Sequence, residues 1–285
     1  MGRVAYVNGS YVPHSDAAVH IEDRGYQFAD GVYEVTAVYR GKLIDEQGHT
    51  DRLARSLREL QIAWPVTPRV LGFLMREVMR RNRLVNGSIY IQVTRGVAPR
   101  NHNFPEGVAS SLVMTTTAKD LDTLLGGEPT QVITVPDIRW GRPDIKSIAL
   151  LPNCLAKQKA GEAGCYEAWQ LDSEGRITEG TLSNAWIVSA EGELVTRNAD
   201  ENAILNGITR QAVLELAQVA NLRVVERPFS VAEALAAREA FLTSTTSFVK
   251  PVVKIDGKAV GDGTPGSITR KLGALITERL TAAVS

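Results

Sequence analysis

The chain has 285 residues, 44% hydrophobic and 22% charged, the composition of an ordinary globular enzyme and not of a disordered chain. Thirty-two basic and 32 acidic side chains cancel to a formal net charge of zero, so no charge excess marks a nucleic-acid or anionic-membrane partner. Two cysteines, Cys154 and Cys165, cannot build a disulfide framework, no apolar run reaches spanning length, and the first residues carry no signal-peptide core. The expectation is a reducing, cytoplasmic setting and a chain of one large or two smaller domains.

Residues 4–7 and 11–12 flank Asn8-Gly9, a hairpin signal, and residues 32–39 and 42–44 flank Arg40-Gly41 in the same way. Helical spacing follows over 45–62, with Leu53, Leu57 and Leu60 on one face, and over 67–83, with Val70, Leu71, Leu74 and Val78. The basic run Arg80-Arg81-Asn82-Arg83 sits where it complements that helix's dipole. Residues 88–94 and 111–117 read as strands joined by a loop over 95–109. The first part is thus an antiparallel sheet with helices, an α+β unit over residues 1–118. Residues 119–129, with Gly126, Gly127 and Pro129, read as a linker, and 130–285 as a second domain. There the pattern predicts a strand at 131–135, a strand carrying Lys146, and a helix over 153–163. A meander over 167–196 and a helix over 209–220 follow, then a strand at 222–227 and a short helix at 231–238. Strands over 240–254 are broken by Thr243-Ser-Thr-Thr-Ser247, and a last helix spans 267–283.

Lys146 is the lysine with the most apolar flanks, Ile145 on one side and Ile148 to Leu151 on the other. Two readings fit: an edge-strand lysine snorkelling to water, or a desolvated amine that is a nucleophile for carbonyl carbon. Two other segments suit a phosphate. Asn206-Gly-Ile-Thr209 puts a glycine and a hydroxyl at a helix start, where free N–H groups favour an anion, although Thr209 could equally be a plain cap. Thr243 to Ser247 offers five hydroxyls, which can also satisfy their own turn. No Walker loop or Gly-x-Gly-x-x-Gly motif supports a nucleotide, and no metal is expected. A phosphate cup with a desolvated lysine points to pyridoxal 5′-phosphate, which also wants a carboxylate at its pyridine nitrogen. Glu179 is the candidate, with a simple Glu-Gly turn as its other reading.

Seven segments in order then carry a resemblance. They are Glu22-Asp-Arg-Gly-Tyr-Gln-Phe-Ala-Asp-Gly-Val-Tyr-Glu-Val35, His49-Thr-Asp-Arg-Leu53, Thr94-Arg-Gly-Val-Ala-Pro-Arg-Asn-His-Asn-Phe-Pro105, Asp144-Ile-Lys-Ser147, Thr178-Glu-Gly180 with Ser183-Asn184, Gly207-Ile-Thr-Arg210, and Thr243 to Ser247. Over essentially its whole length the chain resembles the fold-type IV pyridoxal-phosphate aminotransferases, and within them the D-amino acid aminotransferases.

The resemblance implies an N-terminal antiparallel sheet with helices, a C-terminal β-pseudobarrel with flanking helices, and a homodimer with the cofactor between the domains. It implies that Lys146 forms the Schiff base and shuttles the proton, that Glu179 faces the pyridine nitrogen, and that Arg52, Ile208, Thr209, Ser244 and Thr245 form the phosphate cup. Tyr33, Arg100 and His102 match the carboxylate trap of the D-specific group, with Arg100 and His102 crossing from the neighbouring subunit. The implied reaction is ping-pong transamination of D-amino acids of the D-alanine or D-glutamate type with pyruvate or 2-oxoglutarate, pyridoxamine 5′-phosphate being the intermediate cofactor form. Relatives of the fold keep other readings open: an (R)-amine or branched-chain L-amino acid transaminase, an aminodeoxychorismate lyase, or a non-catalytic protein of this fold. Thr181 and Leu182, where relatives often have serines, and Phe248 after the hydroxyl run depart from the pattern.

Overall fold

The computed structural model describes residues 3–125 and 127–284. The chain divides into two compact units, one running to Leu121 and including Ile145–Ala149, the other comprising Asp122–Asp144 and Leu150–Ala283. The short segment that carries Lys146 clusters with the first unit, although the chain on either side of it belongs to the second. Gly126 of the expected linker lies outside the described residues.

The first unit opens with the hairpin β1 (Val4–Val7) and β2 (Ser10–Pro13). Asn8 and Gly9 both take positive φ, as a two-residue turn matched to strand twist requires. Helix α1 (Arg24–Phe28), capped by the Asp23 carboxylate, precedes β3 (Gly31–Tyr39) and β4 (Lys42–Leu43). Helices α2 (Glu46–Glu59) and α3 (Pro68–Asn82) follow, then β5 (Gly87–Thr94) and β6 (Ser111–Ala118). The strands form one antiparallel sheet in the order β2-β1-β6-β5-β3-β4. Alternation along β5 sends Ile89, Ile91 and Val93 into a core with Leu53 and Leu57 of α2 and Leu71, Met75 and Val78 of α3. Val70, expected on the inner face of α3, is 42% exposed; it lies one step off the stripe of Leu71, Met75 and Val78.

After α4 (Leu121–Leu125), the second unit contains β7 (Thr130–Pro136), α5 (Leu151–Glu162), β8 (Glu167–Leu171), β9 (Arg176–Gly180), β10 (Asn184–Val188) and β11 (Leu194–Thr196). Then come α6 (Ile208–Val219), β12 (Val224–Glu226), β13 (Phe229–Ser230), α7 (Val231–Ala236), β14 (Glu239–Ser244), β15 (Phe248–Ile255), β16 (Lys258–Ala259) and α8 (Ser267–Val284). The strands make a curled mixed sheet in the order β12-β11-β10-β14-β15-β7-β8-β9-β13, with β16 on β15. Its parallel steps, β15 to β7, β7 to β8 and β11 to β12, are the ones that need crossovers; α5 supplies that for β7 and β8, and α6 for β11 and β12. Trp169, Ile177, Ile187, Phe229 and Leu242 fill the core. Together the units form the expected α+β fold. No helix among the described residues is long and apolar enough to cross a membrane.

The Lys146 segment is not a strand. One isolated bridge joins Val32 to Ser147, and the Ser147 N–H donates to the Ile145 carbonyl at 2.7 Å, a tight turn centred on Lys146. The apolar run that suggested a strand instead turns away into α5.

Candidate active site

In the first unit, β3 and α2 hold the backbone around Lys146. The Tyr33 N–H donates to the Lys146 carbonyl at 3.0 Å, the Ile148 N–H to Gly31 at 3.1 Å, and the Lys146 N–H to the Ser56 hydroxyl at 3.3 Å. Side neighbours Ile145 and Ser147 are buried, which fixes the backbone, while Lys146 itself is half-buried. Its Nζ lies 4.2 Å from the centroid of the Tyr33 ring. The ring covers one side of the amine. Tyr33 in turn stacks on Tyr90 at 5.7 Å, and burial pushes the Tyr90 hydroxyl up to about 12.

Arg52, read from sequence as ordinary apart from the resemblance, has a side chain only 9% exposed. Its Nε and Nη2 donate to the two oxygens of Glu34 at 2.7 and 2.8 Å, and His49 Nδ1 donates to the same carboxylate at 2.8 Å. Burial alone would raise the Glu34 carboxyl; the Arg52 guanidinium and the His49 imidazole hold it down at about 2. Sequence reading gave Glu34 and His49 no role. The available signal was a charged residue at an inward position of a buried strand, with His49 and Arg52 three residues apart on α2.

The loop over 95–110 carries Arg100 and His102, both exposed. The Arg100 guanidinium lies 4.4 Å over the Phe28 ring, whose centroid is 5.4 Å from that of His102, so the structure brings these two residues onto one aromatic platform. The root of the loop is firmly tied. Arg95 pairs with Asp30 and donates to the carbonyls of Leu60 and Gln61, and the Phe104 ring lies 3.5 Å beneath its guanidinium. Arg24 holds the middle by donating to the Asn101 carbonyl at 2.5 Å.

In the second unit, Asn184 is the hub. Glu179, at the end of β9, accepts from Asn184 Nδ2 at 2.9 Å, from the Leu205 N–H at 3.1 Å and from Arg139. Arg139 is also clamped by Asp137, through Nε at 2.9 Å and Nη2 at 2.6 Å. One guanidinium thus serves two carboxylates. Burial and the like charge of Asp137 raise the Glu179 carboxyl above its ordinary range despite the pull of Arg139. Asp137, itself penalised by burial, is held low by its hydrogen bonds from Arg139 and Thr178.

The N-terminus of α6 abuts the same asparagine. A Cβ on Gly207 would collide with Asn184 Oδ1, so glycine is what allows the approach. No side chain caps this helix, and Ile208 and Thr209 in its first turn are buried. Asn184 is also in register with Thr243 on β14, which brings the hydroxyl run to the same end of the sheet. Within that run, Ser244 and Ser247 share a 2.6 Å hydrogen bond and Thr243 accepts from Trp186 Nε1 at 3.0 Å. Part of the run therefore does satisfy its own turn, with Thr245 half-buried between. Glu179 thus bonds Asn184 directly, the start of α6 abuts it at Gly207, and the hydroxyl run begins opposite it at Thr243. Arg139 and Asn184 were missed as contributors. For Arg139 no sequence spacing betrays the partnership, since Glu179 is 40 residues away.

The family model for amino-transferase class IV matches residues 31–255. The chain belongs to the class IV aminotransferases. It is 41% identical over 282 residues to a D-alanine aminotransferase of Listeria monocytogenes, covering 97% of this chain and 96% of that one. A D-alanine aminotransferase of Staphylococcus haemolyticus is also 41% identical, over 270 residues and 94% of each chain. Among solved structures, the PLP holo-form of a branched-chain amino acid aminotransferase from Thermobaculum terrenum superposes with a TM-score of 0.84 at 25% identity, covering 98% of this chain and 94% of that one. As a class IV aminotransferase the protein is an enzyme, and pyridoxal 5′-phosphate is the cofactor its family implies.

Proposed function

We propose that the protein is a D-amino acid aminotransferase that uses pyridoxal 5′-phosphate to move amino groups between D-amino acids and 2-oxo acids such as pyruvate or 2-oxoglutarate. The D-alanine aminotransferases to which it is 41% identical support the substrate class. The observation that carries the cofactor assignment is the gathering of a buried carboxylate, an uncapped helix start and a hydroxyl turn around Asn184. The donor set suits the group. Glu179 Oε2 accepts one bond, from Asn184, and has capacity for another N–H, while α6 offers backbone donors to a phosphate.

When bound, pyridoxal 5′-phosphate supplies the electron sink that lets an amino group leave one carbon skeleton for another. Glu179 would face the pyridine nitrogen and favour its protonated form, with Arg139 holding the carboxylate in place. Ile208 and Thr209 through backbone N–H groups and Ser244 and Thr245 through hydroxyls would hold the phosphate, and the family resemblance adds the Arg52 guanidinium to them. Lys146 would hold the cofactor through its amine, and its Nζ would move the proton at the substrate Cα. Tyr33, with Arg100 and His102 reaching into the neighbouring protomer of a homodimer, holds the α-carboxylate and so selects the D configuration.

Arg100→Ala tests the trap on the cofactor-loaded enzyme. D-alanine turnover should fall about 30- to 1,000-fold in kcat/KM, the loss of a charge-assisted fork, while (R)-1-phenylethylamine, which has no carboxylate, should be turned over as by the parent. Equal losses with both donors would make Arg100 a structural residue, and no loss with either would remove the trap.

A further inference from the structure

Glu167 on β8 is a buried carboxylate that the reaction described above does not use. It is 1% exposed, and both oxygens are engaged by neutral donors. Oε1 accepts from the Thr181 hydroxyl at 3.0 Å and the Leu182 N–H at 2.5 Å, and Oε2 from the Ser183 hydroxyl at 2.6 Å. Burial drives its carboxyl upward and these donors restrain the rise. All three donors belong to the turn between β9 and β10.

That turn is held at further points. The Gly180 N–H donates to the Ser183 carbonyl at 2.8 Å, the Thr181 N–H to Ala168 at 3.1 Å, and Asn153 Nδ2 to the Thr181 carbonyl at 2.8 Å. A Cβ on Gly180 would meet the Glu167 carboxyl carbon at 2.7 Å, so glycine lets the carboxylate close onto the turn. Glu179 sits at the near end of this closed unit and Asn184 at the far end, hydrogen-bonded to each other at 2.9 Å.

The geometry points to Glu167 as a positioning residue for Glu179: by gripping residues 181–183 it sets the spacing between the Glu179 carboxylate and the Asn184 amide, an inference that rests on the cofactor role proposed for Glu179. A carboxylate is suited to this because three donors converge, and an amide would offer one acceptor oxygen and turn its NH2 toward another donor. The arrangement also accounts for the departures at 181 and 182. Glu167 needs a hydroxyl at 181, which threonine retains, and only a backbone N–H at 182, where the leucine side chain is 63% exposed.

Glu167→Gln in the full-length enzyme tests this through two readouts. Amide hydrogen exchange over residues 180–184 should quicken by about tenfold or more, with exchange in β5 unchanged. Pyridoxal 5′-phosphate should leave the same variant about tenfold faster than the parent, and kcat should fall while KM for the amino donor stays within about twofold. Faster exchange with unchanged cofactor release and kcat would overturn the inference, leaving Glu167 a core strut; so would no change in either readout. If Glu167→Gln does not fold, Thr181→Val, which removes one grip, should move both readouts in the same direction by less, and an unaltered Thr181→Val would equally overturn the inference. A failure of the transaminase reading itself shows in the parent, as a protein that takes up no pyridoxal 5′-phosphate, whereas a failed role for Glu167 shows only in the difference between parent and variant.

Discussion

Glu34 in the first unit and Glu179 in the second are both buried glutamates that contact an arginine, and their carboxyls move in opposite directions. Glu34 is gripped on both oxygens by the Arg52 guanidinium, with His49 as a further donor. Glu179 takes one contact from an arginine that Asp137 already holds, so two negative charges face one positive charge. Burial costs each carboxylate alike, and the number of cations per anion decides the sign. The first arrangement stabilises the protein. The second keeps a carboxylate in need of a cation, which is what a protonated pyridine nitrogen would supply.

The sharpest way to break this comparison is to delete each carboxylate. Glu34→Ala removes the carboxylate that pairs with a guanidinium only 9% exposed and should cost about 3–5 kcal/mol in urea unfolding. Glu179→Gln leaves Arg139 paired with Asp137 and should cost less than about 1 kcal/mol, yet slow the proton transfer in single-turnover measurements with D-alanine. Equal destabilisation by the two would refute the difference in charge balance.

The pH dependence follows with opposite signs. Glu34, lowered from 4.5 to about 2, contributes stability that is fully present above the unfolded value and is lost as pH falls from about 4.5 through about 2, on the order of 3 kcal/mol in all. Glu179, raised by burial, acts the other way: stability is greatest below the unfolded value and declines as pH rises through its folded value. Unfolding measured from pH 2 to 8 should show the acid limb flattened in Glu34→Gln and unchanged in Glu179→Gln. An acid limb of parental depth in Glu34→Gln would exclude Glu34 as its source.

Smaller effects refine the two sides. Asn184→Ala removes donors to Glu179 and to the Leu205 carbonyl and should cost about 1–2 kcal/mol while weakening pyridoxal 5′-phosphate binding, read by fluorescence titration. Phe28→Leu removes the ring beneath Arg100, worth about 0.5–1 kcal/mol, and should raise KM for D-alanine without altering the bound cofactor's spectrum. A spectral change in Phe28→Leu would show that the platform does more than support the loop.

Much of the fold was legible because local rules governed it. Asn8-Gly9 and Arg40-Gly41 need positive φ and mark their hairpins, and the stripes of α2 and α3 follow from spacing. Lys146 misled the strand assignment: its flanks are apolar, but they are buried by a turn against β3, and periodicity cannot tell the two apart. Helix α1 went unread because five residues give too little period. For the site, candidates such as Glu179 and Thr209 came from chemistry and resemblance, while Glu34, Arg139 and Glu167 did not. Their meaning lies in partners 14 to 40 residues away along the chain, and pairing at that range is set by tertiary structure.

The central claim is tested most directly by giving the purified enzyme, loaded with pyridoxal 5′-phosphate, either D-alanine or L-alanine with 2-oxoglutarate and measuring pyruvate. The account expects pyruvate from D-alanine, little from L-alanine, and almost none from either with Lys146→Ala. Preference for L-alanine, or parental turnover in Lys146→Ala, would contradict it.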